Sequence, residues 1–158
     1  MQILSLFTAA MWVDFAVIVL SKFVPLTKAL GTWYAQFGPV AAASDVLIIV
    51  LGVLLAQLLY PGISGWALVA VAVLIQLIHD VLFYLLIILP VPAGHNKIID
   101  LFKQYAAEGS WKILLADSAM MIGTVLLMEW FENSMTGDFI TFLGVLATYS
   151  LLYIVYTK

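Results

Sequence analysis

The chain has 158 residues, 65% of them apolar and 9% charged, too few polar side chains to cover a water-soluble fold of this size, so a bilayer is the expected solvent. Nine acids against six lysines, with no arginine and a net charge of −3, exclude a nucleic-acid-binding face and bidentate phosphate clamps. The absence of cysteine excludes disulfides, thiolate catalysis and cysteine-ligated metals. At roughly 20 residues per span, the length fits one transmembrane domain over 1–158 and no separate soluble one.

The first apolar stretch runs over about 3–24 and is closed by Pro25. It has no basic leader or small-residue cleavage site and Asp14 interrupts it, so it reads as a retained helix and not as a signal peptide. The stretch 25–39, with Lys28 and the aromatics Trp33, Tyr34 and Phe37, reads as a loop at the headgroup level. A second span covers about 40–60 and ends at the turn pair Pro61 and Gly62. A third covers about 65–89 and is stopped by Pro90 and Pro92.

The pattern then changes over 96–108. Ile98, Leu101, Phe102 and Tyr105 recur at helical spacing opposite Lys97, Asp100, Lys103, Gln104 and Glu108. That is a short amphipathic helix suited to the interface, with Asn96 as N-cap. Spans four and five follow over about 111–131 and 139–156, separated by the polar turn 132–138. The expected fold class is all-α: a polytopic transmembrane helix bundle of about five spans plus one interfacial amphipathic helix.

Five spans put Lys22, Lys28, Lys97, Lys103, Lys112 and Lys158 on one side, with Glu129, Glu132 and Asp138 on the other. By the positive-inside rule this predicts an exoplasmic N-terminus and a cytoplasmic C-terminus.

A carboxylate at mid-bilayer costs about 2.5–3.5 kcal/mol even on insertion scales, so each needs a partner, a proton or a task. Asp14 and the trio Gln76, His79 and Asp80 fall mid-span, and Asp45 and Asp117 lie one to two turns inside the end expected to be cytoplasmic. Gln76, Asp80 and Tyr84 make one helical stripe. Asp45 shares a face with Gly52 and Ala56, a patch of small residues that admits a second backbone. Asp117 and Ser118 adjoin Ala116, Ala119 and Gly123.

Two readings of this polar set stand side by side. One is interhelical pairing, Asp14 with His79 or Asp80 and Asp45 with Asp117 or Tyr84. The other is a proton or cation pathway, or a bound divalent cation. Lys112 is five residues from Asp117, more than one turn, and is expected to snorkel to the interface. Met120, Met121 and Met128 read as packing, and His95 as a loop residue. No nucleophile elbow, HExxH or phosphate-binding glycine loop occurs, so neither an enzyme nor a cofactor is expected.

Over roughly 75–125 the chain carries four short motifs: His79, Asp80, Phe83 and Tyr84; Pro92, Gly94 and Asn96; Asp100, Phe102, Lys103, Tyr105, Ala106 and Glu108; and Ala116, Asp117, Ser118 and Met120. This run resembles a family of small multi-span proteins encoded by large double-stranded DNA viruses of algae and protists. The resemblance implies a protein of a virion's internal membrane or an infected-cell membrane and supplies no reaction. The leading expectation is therefore a structural membrane protein that packs with itself or with capsid-associated proteins. The alternative is a small proton or cation channel or transporter built on Asp14, Asp45, His79, Asp80 and Asp117. The expected partners are lipid and other proteins, not nucleic acid.

Overall fold

The structure, a computed structural model, describes residues 3–24 and 27–157. Pro25, expected to close the first span, and Lys158 lie outside them. Among the described residues there is no strand. Seven α-helices follow in order: α1 (Ile3–Phe23), α2 (Lys28–Phe37), α3 (Pro39–Leu59), α4 (Gly65–Phe83), α5 (Lys97–Gly109), α6 (Trp111–Ser134) and α7 (Gly137–Ile154). Five stretches are long and apolar enough to cross a membrane: α1, α3, α4 with its continuation to Ile88, α6 and α7. In hydrocarbon every backbone polar group must be satisfied within its own segment, which is why long apolar runs settle as uninterrupted helices.

Four of these helices form a ring. α1 touches α3 and α6, α4 touches α3 and α6, and α3 also meets α6 across the centre, while α7 packs on the outer side of α1. The interior is filled by Leu6, Val50, Val53, Leu68, Met121, Val125 and Met128, each at most 2% exposed. Lipid tails are as apolar as these side chains, so close packing and interhelical hydrogen bonds hold the ring, not transfer from water. The outer surface is apolar, with Leu51, Leu58, Leu74, Leu86, Phe142 and Val145 exposed around the bundle.

The region expected as a loop over 25–39 contains a helix instead. Thr27 Oγ1 accepts from Leu30 N–H at 3.0 Å and caps α2. Gly38, at φ +50, then turns the chain so that Pro39 can start α3. A Cβ on Gly38 would also stand 3.0 Å from the Tyr156 hydroxyl. Trp33 and Tyr34, read from sequence as headgroup aromatics, are 4% exposed and lie in a second core with Ile18, Ala41, Leu101 and Leu151.

α5 begins where expected, with Asn96 Oδ1 accepting from Ile98 and Ile99 N–H at 2.9 and 3.2 Å. Its approach is fixed by two side chains of the helix itself. Asp100 accepts from the N–H of Gly94, a residue at φ +85, and Lys103 donates to the Val91 carbonyl. Before that connection, Tyr84–Ile88 widens into a π-helical turn just ahead of Pro90. At its far end α6 runs one turn further than expected, through Ser134.

α2 and α5 pack against each other at the end of the bundle that carries Lys22, Lys28, Lys97, Lys103 and Lys112. Ala29 N–H donates to Glu108 Oε2 at 3.0 Å across this contact. That bond, with a second from Gln104, holds the Glu108 carboxyl below its ordinary range. Lys22 reaches the Thr157 carbonyl, which places the end of α7 at the same side. Two short helices thus roof one end of the ring.

Candidate functional site

Beneath that roof, carboxyl groups from all four ring helices lie near two phenols. Asp45 of α3 accepts from Tyr34 O–H at 2.9 Å and from Trp33 Nε1–H at 3.2–3.3 Å. The Tyr34 hydroxyl also lies 3.5 Å from Asp14 Oδ1 of α1. One phenolic hydrogen serves one carboxylate at a time. The second carboxyl joins this chain only by giving its own proton to the phenol oxygen. Asp14 is fully buried and its Oδ2 has no partner among the described residues.

On the opposite side of the ring, Asp80 Oδ1 accepts from Gln76 Nε2–H at 2.7 Å and lies 3.2 Å from His79 Nδ1. Asp80 Oδ2 and Gln76 Oε1 are buried without partners among the described residues. The His79 ring stacks on Phe83, Phe83 meets Phe102 edge-on, and Phe102 leans on Trp33. This aromatic run ties α4 to both roof helices. Of the four aspartates, only Asp80 has an ion-pair partner among the described residues, and it is His79.

Burial pushes the Tyr34 hydroxyl well above the ordinary phenol range, and the charges of Asp45 and Asp14 push it further. Tyr105 of α5 is raised by burial and then by Asp117, Asp45 and Asp80. Tyr34 reaches carboxyls of α3 and α1 directly, and Tyr105 feels the charges of carboxyls of α6, α3 and α4.

The structure thus gathers Asp14, Asp45, Gln76, His79, Asp80 and Asp117, but not in the expected pairs. Asp14 meets Tyr34 instead of His79 or Asp80, and Asp45 meets Tyr34 and Trp33 instead of Asp117 or Tyr84. The physical reason is α2: once it folds as a helix, its aromatic hydroxyl and indole reach the acids first. Tyr84 sits on the exposed π-helical turn and Ser118 is half-buried, and neither side chain makes a hydrogen bond among the described residues. Among the described residues no three His, Cys, Asp or Glu side chains are set to hold a metal ion.

Of the residues expected on the interfacial helix, Asp100, Lys103 and Glu108 make the tethers described above, Phe102 and Tyr105 point under the roof, and Lys97 is exposed. Tyr34 and Trp33 were legible only as aromatics. Their signal was Thr27 ahead of a ten-residue run ending at Gly38 and Pro39, with Ala29, Trp33 and Tyr34 on one face.

At the other end of the ring, α3, α4 and α6 diverge around a cleft of about 400 Å³ lined by Gln57, Ser64, Leu68, Met128, Glu129 and Glu132. Glu129 accepts from Gly65 N–H and so caps α4 from a neighbouring helix. A shallower apolar groove, about 210 Å³, opens on the outer face beside His79, Phe83 and Leu86.

Fold and site together define a polytopic α-helical membrane protein with four aspartates, one fully buried and three half-buried, on the helices of its ring. Searches of protein-family models, of curated proteins and of solved structures each return no match to the chain.

Proposed function

We propose that the protein moves protons, or another small cation, across a bilayer through the acids enclosed by α1, α3, α4 and α6. The observation that carries this reading is the surplus of carboxyls. A structural staple for the roof needs only Asp45 with Trp33 and Tyr34, yet Asp14, Asp80 and Asp117 lie on the same ring with no lysine paired to them among the described residues. Such groups are costly in hydrocarbon and are characteristic of ion and proton routes. The lysines at the roof end support a cytoplasmic roof, with the N-terminus exoplasmic and the C-terminus cytoplasmic. The purified chain in liposomes with a trapped pH dye tests this: flux is expected and Asp80→Asn lowers it. No flux, or flux indifferent to Asp80→Asn, retires the reading.

A second reading is a structural membrane protein of a viral internal membrane or an infected-cell membrane, packing with itself or with capsid-associated proteins. It is favoured by the direct Tyr34–Asp45 bond, which locks α2 onto the ring, and by the resemblance over 75–125. Counting copies in purified particles by mass spectrometry decides it, since absence from particles removes it.

A further inference from the structure

The inward face of α6 connects the two ends of the ring. Asp117, Met121, Thr124 and Met128 follow at steps of four, three and four residues and form one stripe about 16 Å long. At the roof end the charges of Asp117 and Asp80 both act on Tyr105. At the other end Met128, with Leu68, lies against the cleft of Gln57, Ser64 and Glu129.

Between these ends are polar atoms with nothing to bond. Gln76 is 4% exposed; its amide N–H is used on Asp80, but its carbonyl oxygen has no donor among the described residues and lies 3.9 Å from where a Cβ on Gly52 would stand. A carboxyl can satisfy itself by taking a proton. An amide carbonyl has no such option and needs a donor from outside, such as water. Thr124 Oγ1, fully buried, is likewise without a partner among the described residues. One turn away, the Met121 methyl fills the space that Gly52 leaves, 2.8 Å from the position a Cβ would take. Methionine is the core side chain that moves aside most readily.

We infer that protons cross this bundle along the seam of α3, α4 and α6, from the cleft at Gln57, Ser64 and Glu129, past Thr124 and the Gln76 carbonyl, to Asp80 and Asp117, with the Met121 methyl against Gly52 as the gate. This rests on the proton-transfer reading above and specifies its route. A proton entering at one face leaves at the other, and no bond to any co-reactant is made or broken.

The test uses the full chain in liposomes with an internal pH dye under a potassium gradient clamped by valinomycin. Met121→Ala is expected to raise proton flux roughly tenfold, the order of one side-chain barrier removed. Gln76→Leu is expected to lower it by a similar factor, and Gln76→Glu, which keeps an acceptor, to retain it. Met120→Ala, a buried methionine off the stripe, controls for loosened packing. All variants are first matched to the unsubstituted protein in gel-filtration profile and helix content. If the unsubstituted protein conducts while Met121→Ala matches Met120→Ala and Gln76→Leu changes nothing, the seam is overturned and proton transfer survives. If neither the unsubstituted protein nor Met121→Ala conducts, both fall.

Discussion

Replacing Tyr34 by Phe removes one oxygen and leaves the packing of the ring in place. The lost oxygen donates to Asp45 at 2.9 Å and lies 3.5 Å from Asp14. A hydrogen bond to a charged group contributes about 1.5–3 kcal/mol in soluble proteins. Interhelical hydrogen bonds measured in bilayers average about 0.6 kcal/mol and reach about 1.7. Asp45 keeps the Trp33 indole at 3.2–3.3 Å and is not stranded, whereas Asp14 loses the one hydrogen-bond partner its Oδ1 has among the described residues. The expected cost is therefore about 1–1.5 kcal/mol, toward the upper part of the bilayer range. Unfolding in mixed micelles by added dodecyl sulfate, followed by tryptophan fluorescence, gives that value directly. Amides of α2 should also exchange roughly tenfold faster, since about 1.4 kcal/mol is a factor of ten in a local opening equilibrium. The double variant with Asp45→Leu should cost less than the sum of the two single changes, because both remove the same bond. A Tyr34→Phe protein within about 0.3 kcal/mol of the unsubstituted chain, and strictly additive with Asp45→Leu, would refute the staple.

The same burial has a signature in pH. Tyr34 and Tyr105 are raised above the ordinary phenol range, so the stability they contribute is complete below about pH 10 and is lost as pH rises from there toward their folded values. Ultraviolet titration should show no loss of amplitude near pH 10 in Tyr34→Phe or Tyr105→Phe, and a loss in either would place that hydroxyl in water. The close glycine contacts between spanning helices at Gly52 and Gly144 should differ in cost. A Cβ at Gly144 would stand 2.8 Å from the hydroxyl of Thr8, a β-branched side chain on the central helix, whereas at Gly52 it meets the mobile end of Met121. Gly144→Ala should cost about 1–3 kcal/mol and Gly52→Ala less, by the same unfolding assay; the reverse order would contradict this packing.

The five long helices and the amphipathic α5 were legible because they depend on composition over many residues. Apolar runs of span length, Asn96 at a helix start and prolines at 90 and 92 act locally, and local signals survive in a sequence. The acids were legible as buried groups in need of partners, since any polar residue mid-span has that need. Which partner each took was not, because that depends on how separate helices meet. α2 shows why: ten residues with one lysine and three aromatics fit an interfacial loop and a docked helix equally, and only contact with α5 and the ring decides. Gly52 was expected to admit a second backbone. It is instead opposed by the Met121 side chain of α6, 2.8 Å from where a Cβ would stand, as Gly144 of α7 is by the Thr8 hydroxyl of α1 at 2.8 Å. The capping of α4 by Glu129, 64 residues further along the chain, left no local mark either.

Everything proposed for the acids requires that the ring stands across a bilayer with α2 and α5 on the same side of it. The chain has no cysteine, so single cysteines at the exposed positions Lys28, Lys97 and Asn133 can be mapped with a membrane-impermeant maleimide on sealed vesicles of defined orientation. Lys28→Cys and Lys97→Cys should label from one face and Asn133→Cys from the other. Labelling of Lys28→Cys and Lys97→Cys from opposite faces would contradict the five-helix crossing and the enclosure of the acids with it.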